Sequence, residues 1–149
     1  MAYVTAQSPA DCLFCEKLIG SADEKNLILC RRPNAFVVLN AFPYSSGHLM
    51  VAPNRHVAKL ERLSSEEATE TMTLGQAAVR ALTAVYHPDG FNLGMNLGSA
   101  AGAGVPGHLH LHVVPRWLGD TNFMPVLGQV KVMPETLETT FEKLLPHFT

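Results

Sequence analysis

The sequence predicts an α+β domain with an antiparallel sheet, one long central helix and a C-terminal helix. Short apolar stretches separated by turn-forming residues follow one another in the first third of the chain, as expected of consecutive strands. Apolar residues at helical spacing then extend over 64–87, after which strand-like segments resume. Consecutive strands with one long helix between them and another after them indicate this fold class.

The composition indicates one folded domain and argues against several kinds of partner. A length of 149 residues predicts a single domain over 1–149, with an N-terminal tail at 1–11. Hydrophobic residues make up 47% of the chain and charged residues 16%, which is a globular balance. A formal net charge of −2 without a basic cluster argues against nucleic acid or a membrane surface as a partner. No apolar run approaches the length of about 18 residues that a membrane span needs.

The cysteines and the N-terminal sequence predict a cytoplasmic protein. Three cysteines are an odd number, which argues against a disulfide framework. The segment MAYVTAQSPADC at 1–12 has neither the basic region nor the apolar region of a signal peptide. We therefore expect a reduced, cytoplasmic setting.

Three short strands are predicted in the first third of the chain. They are apolar, and they are separated by two segments of turn-forming residues, RRPN at 31–34 and AFPYSSG at 41–47. The predicted strands cover residues 27–30, 35–40 and 48–52.

The long helix is predicted from a capping signal and an apolar stripe. Ser64 is followed three residues later by Glu67, which is the spacing of a capping box. The helix is expected to end near His87, because Pro88 cannot continue it. Apolar residues recur at spacings of three and four and predict one buried face, formed by Ala68, Met72, Val79, Leu82 and Tyr86.

The second half of the chain is predicted to return to the sheet. A fourth strand is expected at 91–96, and the glycine-rich segment GSAAGAGVPG at 98–107 connects it to a histidine-bearing strand. A further short strand is expected at 126–132, before a terminal helix opened by Pro134. The apolar stripe of that helix is Leu137, Phe141, Leu144 and Leu145.

Histidines occupy every second position in the stretch GHLHLHVVPRW at 107–117. Leucine and valine fill the positions between them, and Pro115 ends the run. This alternation is typical of a half-buried strand, so His108, His110 and His112 are expected to share one face while the leucines face the core.

Three interpretations of this histidine row are open. It can be an inert, solvated strand face, a catalytic zinc site, or a site where one neutral imidazole attacks an electrophile while the others position the reactants. The adjoining loop favours the last interpretation with phosphorus as the electrophile, because glycines allow backbone N–H groups to turn towards a phosphate. An imidazole is also mostly neutral and nucleophilic at pH 7. The loop glycines are Gly98, Gly102, Gly104 and Gly107.

The run His-Leu-His-Leu-His-Val-Val at 108–114 resembles the signature of the histidine-triad (HIT) superfamily of nucleotide hydrolases and transferases. The resemblance extends over about 12–125. It is greatest to the fragile-histidine-triad branch, which includes bacterial diadenosine tetraphosphate hydrolases and phosphorylases. The segments that are most similar are LNAFPYSSGH at 39–48, GMNLG at 94–98 and VPRWLGD at 114–120.

The resemblance implies a reaction and a role for each candidate residue. His110 would attack the α-phosphorus of a dinucleoside polyphosphate and form a covalent nucleotidyl-histidine, which water or phosphate then resolves. His112 and His48 would contact the phosphate oxygens and the leaving group. The family also implies a homodimer that acts on a nucleotide substrate without an organic cofactor. The remaining substrate-binding residues would be Asn40 for the nucleoside and Asn96, Gly102, Gly104 and Gly107 for the phosphates.

One segment departs from the pattern of the fragile branch. Its members carry Gly-Gln-Ser or Gly-Gln-Thr just before the triad, where the glutamine and the hydroxyl contact phosphate. This chain has GAGVPG at 102–107 instead. Backbone amides are therefore expected to bind the phosphates here.

A Cys-x-x-Cys pair near the N-terminus is a candidate metal site. The spacing of Cys12 and Cys15 is equally consistent with two buried thiols and with half of a structural zinc site. The family resemblance implies that His56 and His108 complete a Cys₂His₂ zinc site. Such a closed site would fasten the start of the histidine strand and leave His110 free to react.

Other functions remain open on the sequence. They are a nucleoside phosphoramidase with the same nucleophile, a metalloenzyme with a catalytic zinc on the triad, and a nucleotide-binding sensor with little turnover. The sequence also leaves open whether water or phosphate resolves the covalent intermediate.

Overall fold

The computed structural model describes residues 8–120 and 135–149, and it confirms the α+β fold class. The strands are β1 (Ile28–Arg31), β2 (Ala35–Leu39), β3 (Leu49–Pro53), β4 (Gly90–Gly94) and β5 (Leu111–Arg116). The helices are α1 (Leu13–Leu18), α2 (Asp23–Asn26), α3 (Ser65–Tyr86) and α4 (Leu137–Leu144). Short 3₁₀ turns lie at Pro9–Asp11, Leu60–Arg62, Ser99–Ala101 and Leu145–Phe148.

The five described strands form one antiparallel sheet in the order β1-β2-β3-β5-β4. The last of these five strands in sequence, β5, therefore lies between β3 and β4. Met50 of β3 pairs with His112 of β5, and Leu49 pairs with Val113. Since alternate residues share a face, His48 projects on the same side as Met50 and His112. The strand order thus brings the start of β3 beside the histidine strand.

Both faces of the sheet are covered, which explains why β2 and β3 are buried at every position. Helices α3 and α4 pack on one face, against side chains such as Val37, Leu49 and Val113. The N-terminal segment covers the other face, where Cys12 and Phe14 pack with residues of β1, β2 and β3. The candidate site lies on this second face of the sheet.

The capping signal of α3 is confirmed. The hydroxyl of Ser64 accepts a hydrogen bond from the Glu67 amide at 3.0 Å, and the Glu67 carboxylate accepts one from the Ser64 amide at 2.9 Å. The helix ends at Tyr86, as predicted, and His87 follows in a left-handed conformation with φ of 49°. Pro88 then prevents a further turn.

The predicted buried face of α3 is wrong in its first half. Ala68 is exposed and Met72 is 56% exposed, whereas Glu67 and Thr71 are buried. The reason is an ion pair, because Arg55 binds the Glu67 carboxylate at 2.8 Å and allows a charged residue to occupy the inner side of the first turn. The buried face is Glu67, Thr71, Leu74, Gly75, Ala78, Ala81 and Leu82.

The terminal helix begins at Leu137, with Thr136 as its N-cap, whereas the sequence placed its start at Pro134. The Thr136 hydroxyl accepts a hydrogen bond from the Thr139 amide at 3.1 Å. This N-cap fixes the start of the helix, which the apolar stripe alone did not indicate. Pro134 and the strand predicted at 126–132 lie outside the described residues.

The histidine segment is more buried and less regular than the alternation predicted. Strand β5 begins at Leu111, so His112 is its only triad residue, and it continues through Pro115 to Arg116. The amide of Leu109 bonds the carbonyl of Val57 at 2.8 Å instead of joining the ladder with β3. His108 and His110 therefore lie in the extended segment that precedes the strand. No helix within 8–120 or 135–149 is long and apolar enough to cross a membrane.

The ion pair at the start of α3 predicts a pH dependence of stability. The hydrogen bond from Arg55 lowers the pKa of Glu67 from 4.5 to about 2. A carboxyl group whose pKa is lower in the folded state stabilises the fold above its unfolded pKa, and this contribution disappears as the pH falls through the folded pKa. We expect the free energy of unfolding in urea to fall more steeply between pH 4.5 and about 2 in the wild type than in Glu67→Gln.

At pH 7 this variant should be less stable by up to about 1 kcal/mol, since its partner is half-exposed and the glutamine keeps the capping box. Glu66→Gln changes the exposed neighbour in the same turn and should retain the wild-type slope. Equal slopes for Glu67→Gln and the wild type would contradict the prediction.

Candidate active site and metal cluster

The three triad histidines have three different environments. His108 is fully buried beside two cysteines, His110 is 6% exposed, and His112 is half-buried next to His48. The ring centroids of His110 and His112 are 4.9 Å apart. His108 therefore belongs to a cluster of potential metal ligands, and His112 forms a pair with His48. The candidate nucleophile, His110, is adjacent to His112.

A compact group of two thiols and two imidazoles lies between the N-terminal segment and the start of the histidine run. The ligand atoms of Cys12, Cys15, His56 and His108 all lie within 4.8 Å of one another. The sulfur of Cys12 is 3.3 Å from His108 Nδ1, and that of Cys15 is 3.5 Å from His56 Nδ1. Zinc bonds of about 2.3 Å to sulfur and 2.0–2.1 Å to nitrogen, at a tetrahedral angle, place the two ligands about 3.5 Å apart. The four residues thus fit a tetrahedral metal ion.

The second nitrogen of His108 supports the same interpretation. Its Nε2 lies 2.7 Å from the carbonyl oxygen of Pro53, which can only accept, so Nε2 carries the proton. The lone pair of Nδ1 is consequently directed at the sulfur atoms. A backbone acceptor on the remote nitrogen is the usual second partner of a metal-binding histidine. Both nitrogens of His108 are engaged, and neither is available for a metal site shared with His110 and His112.

His110 is oriented by its neighbour in the chain. Its Nδ1 lies 2.9 Å from the carbonyl oxygen of His108, so Nδ1–H donates and the lone pair resides on Nε2. Phe14 packs against both rings, with centroids 5.2 Å from His108 and 5.0 Å from His110. Burial lowers the pKa of His110 below its ordinary value. The result is a neutral imidazole with one defined lone pair.

His48 and His112 form a directed pair. The amide of Tyr44 donates to His48 Nδ1 at 3.1 Å, so the proton of His48 is on Nε2. That nitrogen lies 2.9 Å from His112 Nδ1, which must therefore accept, and the proton of His112 is on Nε2. Burial, with a smaller contribution from His110, lowers the pKa of His112. The pair presents an N–H donor on the side of His112 that is away from His48.

The loop between β2 and β3 holds this pair in place. The side-chain oxygen of Asn40 accepts a hydrogen bond from the backbone amide of Phe42 at 2.8 Å. The backbone amide of Asn40 donates to the backbone carbonyl of His48 at 3.0 Å. Gly47 has φ of 85°, and a Cβ there would lie 2.8 Å from Leu82. Only glycine fits both the backbone conformation and the close approach to α3.

The predicted phosphate-binding residues lie in the connection between β4 and β5. Asn96, Gly102 and Gly104 are exposed, and Gly107 is half-buried. Gly102 has φ of 90°, and its amide donates to Ser99 at 3.0 Å within the 3₁₀ turn. That amide would have to exchange its partner to bind a phosphate. The phosphate-binding role of these four residues stays a prediction.

Sequence reasoning missed three contributors to the site. Phe14 packs on two histidine rings, the Pro53 carbonyl orients His108, and Tyr44 contacts His48 with both its amide and its ring. A signal existed for Phe14, which stands between the two cysteines that were assigned to His108. The position of Tyr44 four residues before His48 was a weaker signal.

Comparisons with known proteins show which family the chain belongs to. The family model of the HIT domain matches residues 22–117. An AP-4-A phosphorylase from Mycobacterium tuberculosis is 47% identical over 119 residues, which cover 80% of this chain and 61% of that protein. This chain thus spans about three fifths of the length of that relative. The adenosine 5'-monophosphoramidase hnt1 of Schizosaccharomyces pombe is 30% identical over 70% of this chain and 74% of its own length.

A solved structure is also similar over nearly the whole chain. A zinc-bound histidine triad family protein from Mycobacterium smegmatis superposes with a TM-score of 0.76 at 28% identity, covering 94% of each chain. The family match spans more than half of the sequence and includes all three triad histidines. The chain therefore belongs to the HIT domain family, in which it is related to nucleotide hydrolases and transferases.

Proposed function

We propose that the protein cleaves dinucleoside polyphosphates through a covalent nucleotidyl intermediate on His110. The observation that carries this proposal is the hydrogen bond from His110 Nδ1–H to the His108 carbonyl, at 2.9 Å. It leaves the lone pair on Nε2 of a neutral ring, which is the state that a nucleophilic histidine needs. The relative from Mycobacterium tuberculosis, named AP-4-A phosphorylase, supports diadenosine tetraphosphate as the substrate.

In the first step, His110 Nε2 attacks the α-phosphorus. A P–N bond forms, the bond from phosphorus to the bridging oxygen breaks, and the electron pair leaves with that oxygen. A polyphosphate departs as an anion without being protonated, because phosphate groups ionise near neutral pH. The Nε2–H donor of His112, fixed by the bond between His112 and His48, stabilises the charge that develops.

In the second step, an oxygen nucleophile attacks the same phosphorus and the P–N bond breaks, returning the lone pair to His110 Nε2. Water as the nucleophile yields AMP, and inorganic phosphate yields ADP. The name of the 47% identical relative supports phosphate as the acceptor. Diadenosine tetraphosphate would then give ADP and ATP.

The arrangement of His112 and His48 argues against an amine leaving group as the main substrate. An amine must gain a proton as it leaves, whereas the pair shares one proton between its facing nitrogens. Transfer of the remaining Nε2 proton would leave an imidazolate on the half-buried His112, or on the buried His48 if the shared proton followed. Phosphoramidase activity is the second candidate, because a relative 30% identical to the chain carries that name.

A structural zinc ion is part of the proposal. Cys12, Cys15, His56 and His108 would hold it, and their S–N distances of 3.3–3.6 Å support a tetrahedral site. The zinc ion would fasten the N-terminal segment to the histidine run. Four protein ligands leave no open position for substrate.

The nucleophile assignment predicts the outcome of a product analysis. With diadenosine tetraphosphate and phosphate, the purified protein should form ADP and ATP, resolved by ion-exchange chromatography, and AMP should be a minor product. His110→Ala should reduce turnover by at least about 1,000-fold, since no other group can form the covalent bond. His147→Ala, which removes an exposed histidine far along the chain, should retain wild-type turnover.

Mass spectrometry provides a second measurement of the same step. In the absence of phosphate, the wild type should gain the mass of one adenylyl group, which is AMP less one water, and His110→Ala should not. Formation of AMP and ATP would mean that water and not phosphate resolves the covalent intermediate. Preferred cleavage of adenosine 5′-phosphoramidate would favour phosphoramidase activity. Turnover by His110→Ala would refute the assignment of His110 as the nucleophile.

The zinc proposal predicts a stoichiometry and a stability effect. The purified protein should contain one zinc ion per chain by atomic emission, and Cys12→Ala with Cys15→Ala should contain none. Loss of about 3 kcal/mol of stabilisation should lower the melting temperature by about 10 °C. Cys30→Ala removes a buried thiol outside the cluster and should keep the zinc.

In a chelator, activity should be lost at the same slow rate as the folded structure, because a zinc ion with four protein ligands would have no catalytic position. Immediate loss of activity in chelator, with the circular dichroism spectrum unchanged, would indicate a catalytic metal and contradict the assignment.

A further inference from the structure

Tyr44 is an exposed aromatic side chain beside the imidazole pair. Its ring centroid lies 4.8 Å from that of His48 and 6.2 Å from that of His112, with interplanar angles of 33° and 30°. One side of the ring thus lies over the two histidines. The side chain is nevertheless 72% exposed, so its other side faces solvent.

The loop fixes this ring in position. The amide of Tyr44 donates to His48 Nδ1, and the hydroxyl of the next residue, Ser45, donates to the carbonyl of Pro115 at 2.8 Å. Pro43 on the other side is buried. The backbone on both sides of Tyr44 is therefore anchored, and a ligand that contacts the ring does not have to order the loop first.

The rings form a continuous row that leads away from the nucleophile. The centroid distances are 4.9 Å from His110 to His112, 5.1 Å from His112 to His48 and 4.8 Å from His48 to Tyr44. The leaving nucleotide of a dinucleoside polyphosphate carries a flexible phosphate chain, which bends back along this row after the donor of His112, since that donor points away from His48. Its far end then arrives at an exposed aromatic ring.

We propose that Tyr44 binds the base of the leaving nucleotide by stacking and thereby makes the site selective for dinucleotides. This inference rests on the proposed function, since it concerns the part of the same substrate that departs. A tyrosine ring is uncharged and attracts the flat face of a base more than a phosphate. Base stacking on an aromatic side chain contributes about 1–3 kcal/mol and tolerates any base.

Two substrates separate stacking from every other role of Tyr44. Diadenosine tetraphosphate and adenosine 5′-tetraphosphate share the adenosine, the α-phosphorus and the phosphate chain, but only the first carries a base on its leaving group. Tyr44→Ala should lower kcat/KM for the dinucleotide about tenfold, which corresponds to about 1.4 kcal/mol. The same variant should change kcat/KM for adenosine 5′-tetraphosphate less than twofold.

Matched variants complete the test. Tyr44→Phe keeps the ring and should remain within about twofold of the wild type on both substrates. Phe42→Ala removes an 82% exposed ring from the same loop, with no change at the imidazoles, and should not affect either substrate. Most of the loss in Tyr44→Ala should be in KM, because the base is bound before the reaction.

Three other outcomes would overturn the inference. An equal loss on both substrates would mean that Tyr44 only orients His48 and His112. No loss on either would mean that the ring does not contact substrate. Equal kcat/KM of the wild type for both substrates would mean that the second base is not bound. Failure of the proposed function is distinguishable, because the wild type would then turn over neither substrate.

Discussion

His108 connects the two parts of the site through three hydrogen-bonding groups. Its Nε2–H is bound to the Pro53 carbonyl, its Nδ1 faces Cys12 and Cys15, and its own carbonyl accepts the Nδ1 proton of His110. A displacement of His108, backbone and ring, would break all of these bonds together. The orientation of the nucleophile candidate therefore depends on the anchoring of the residue two positions before it.

Burial gives these imidazoles their chemical character. The N-terminal segment covers the face of the sheet that carries the histidines, and Phe14 packs on His108 and His110. A buried polar ring is stable only when its nitrogens are paired, and each pairing here also decides which nitrogen holds the proton. Removal of water thus produces a neutral lone pair at His110 and a defined donor at His112. Packing on this face therefore also determines where the protons of the candidate site lie.

Local patterns predicted the elements well where the relevant interaction lies within a few residues. The capping box of Ser64 and Glu67 involves one turn, and the termination of α3 depends on Pro88. The same reasoning misplaced Met72, because hydropathy alone assigns a charged residue to the surface and an apolar residue to the core. The ion pair between Arg55 and Glu67 reverses that assignment, and its two partners are 12 positions apart with a 3₁₀ segment between them.

The sequence was sufficient to identify the family signature, the nucleophile candidate and the cysteines, since these are residue types at short spacing. It could not distribute the three histidines, because alternation places them on one face and treats them alike. Two of the partners lie far away in the chain, Cys12 for His108 and His48 for His112, whereas His110 pairs with the backbone carbonyl of His108, two residues before it. The partner that decides the proton position of His112 reaches it only when β3 and β5 pair, because hydrogen bonds between distant segments exist only in the folded chain.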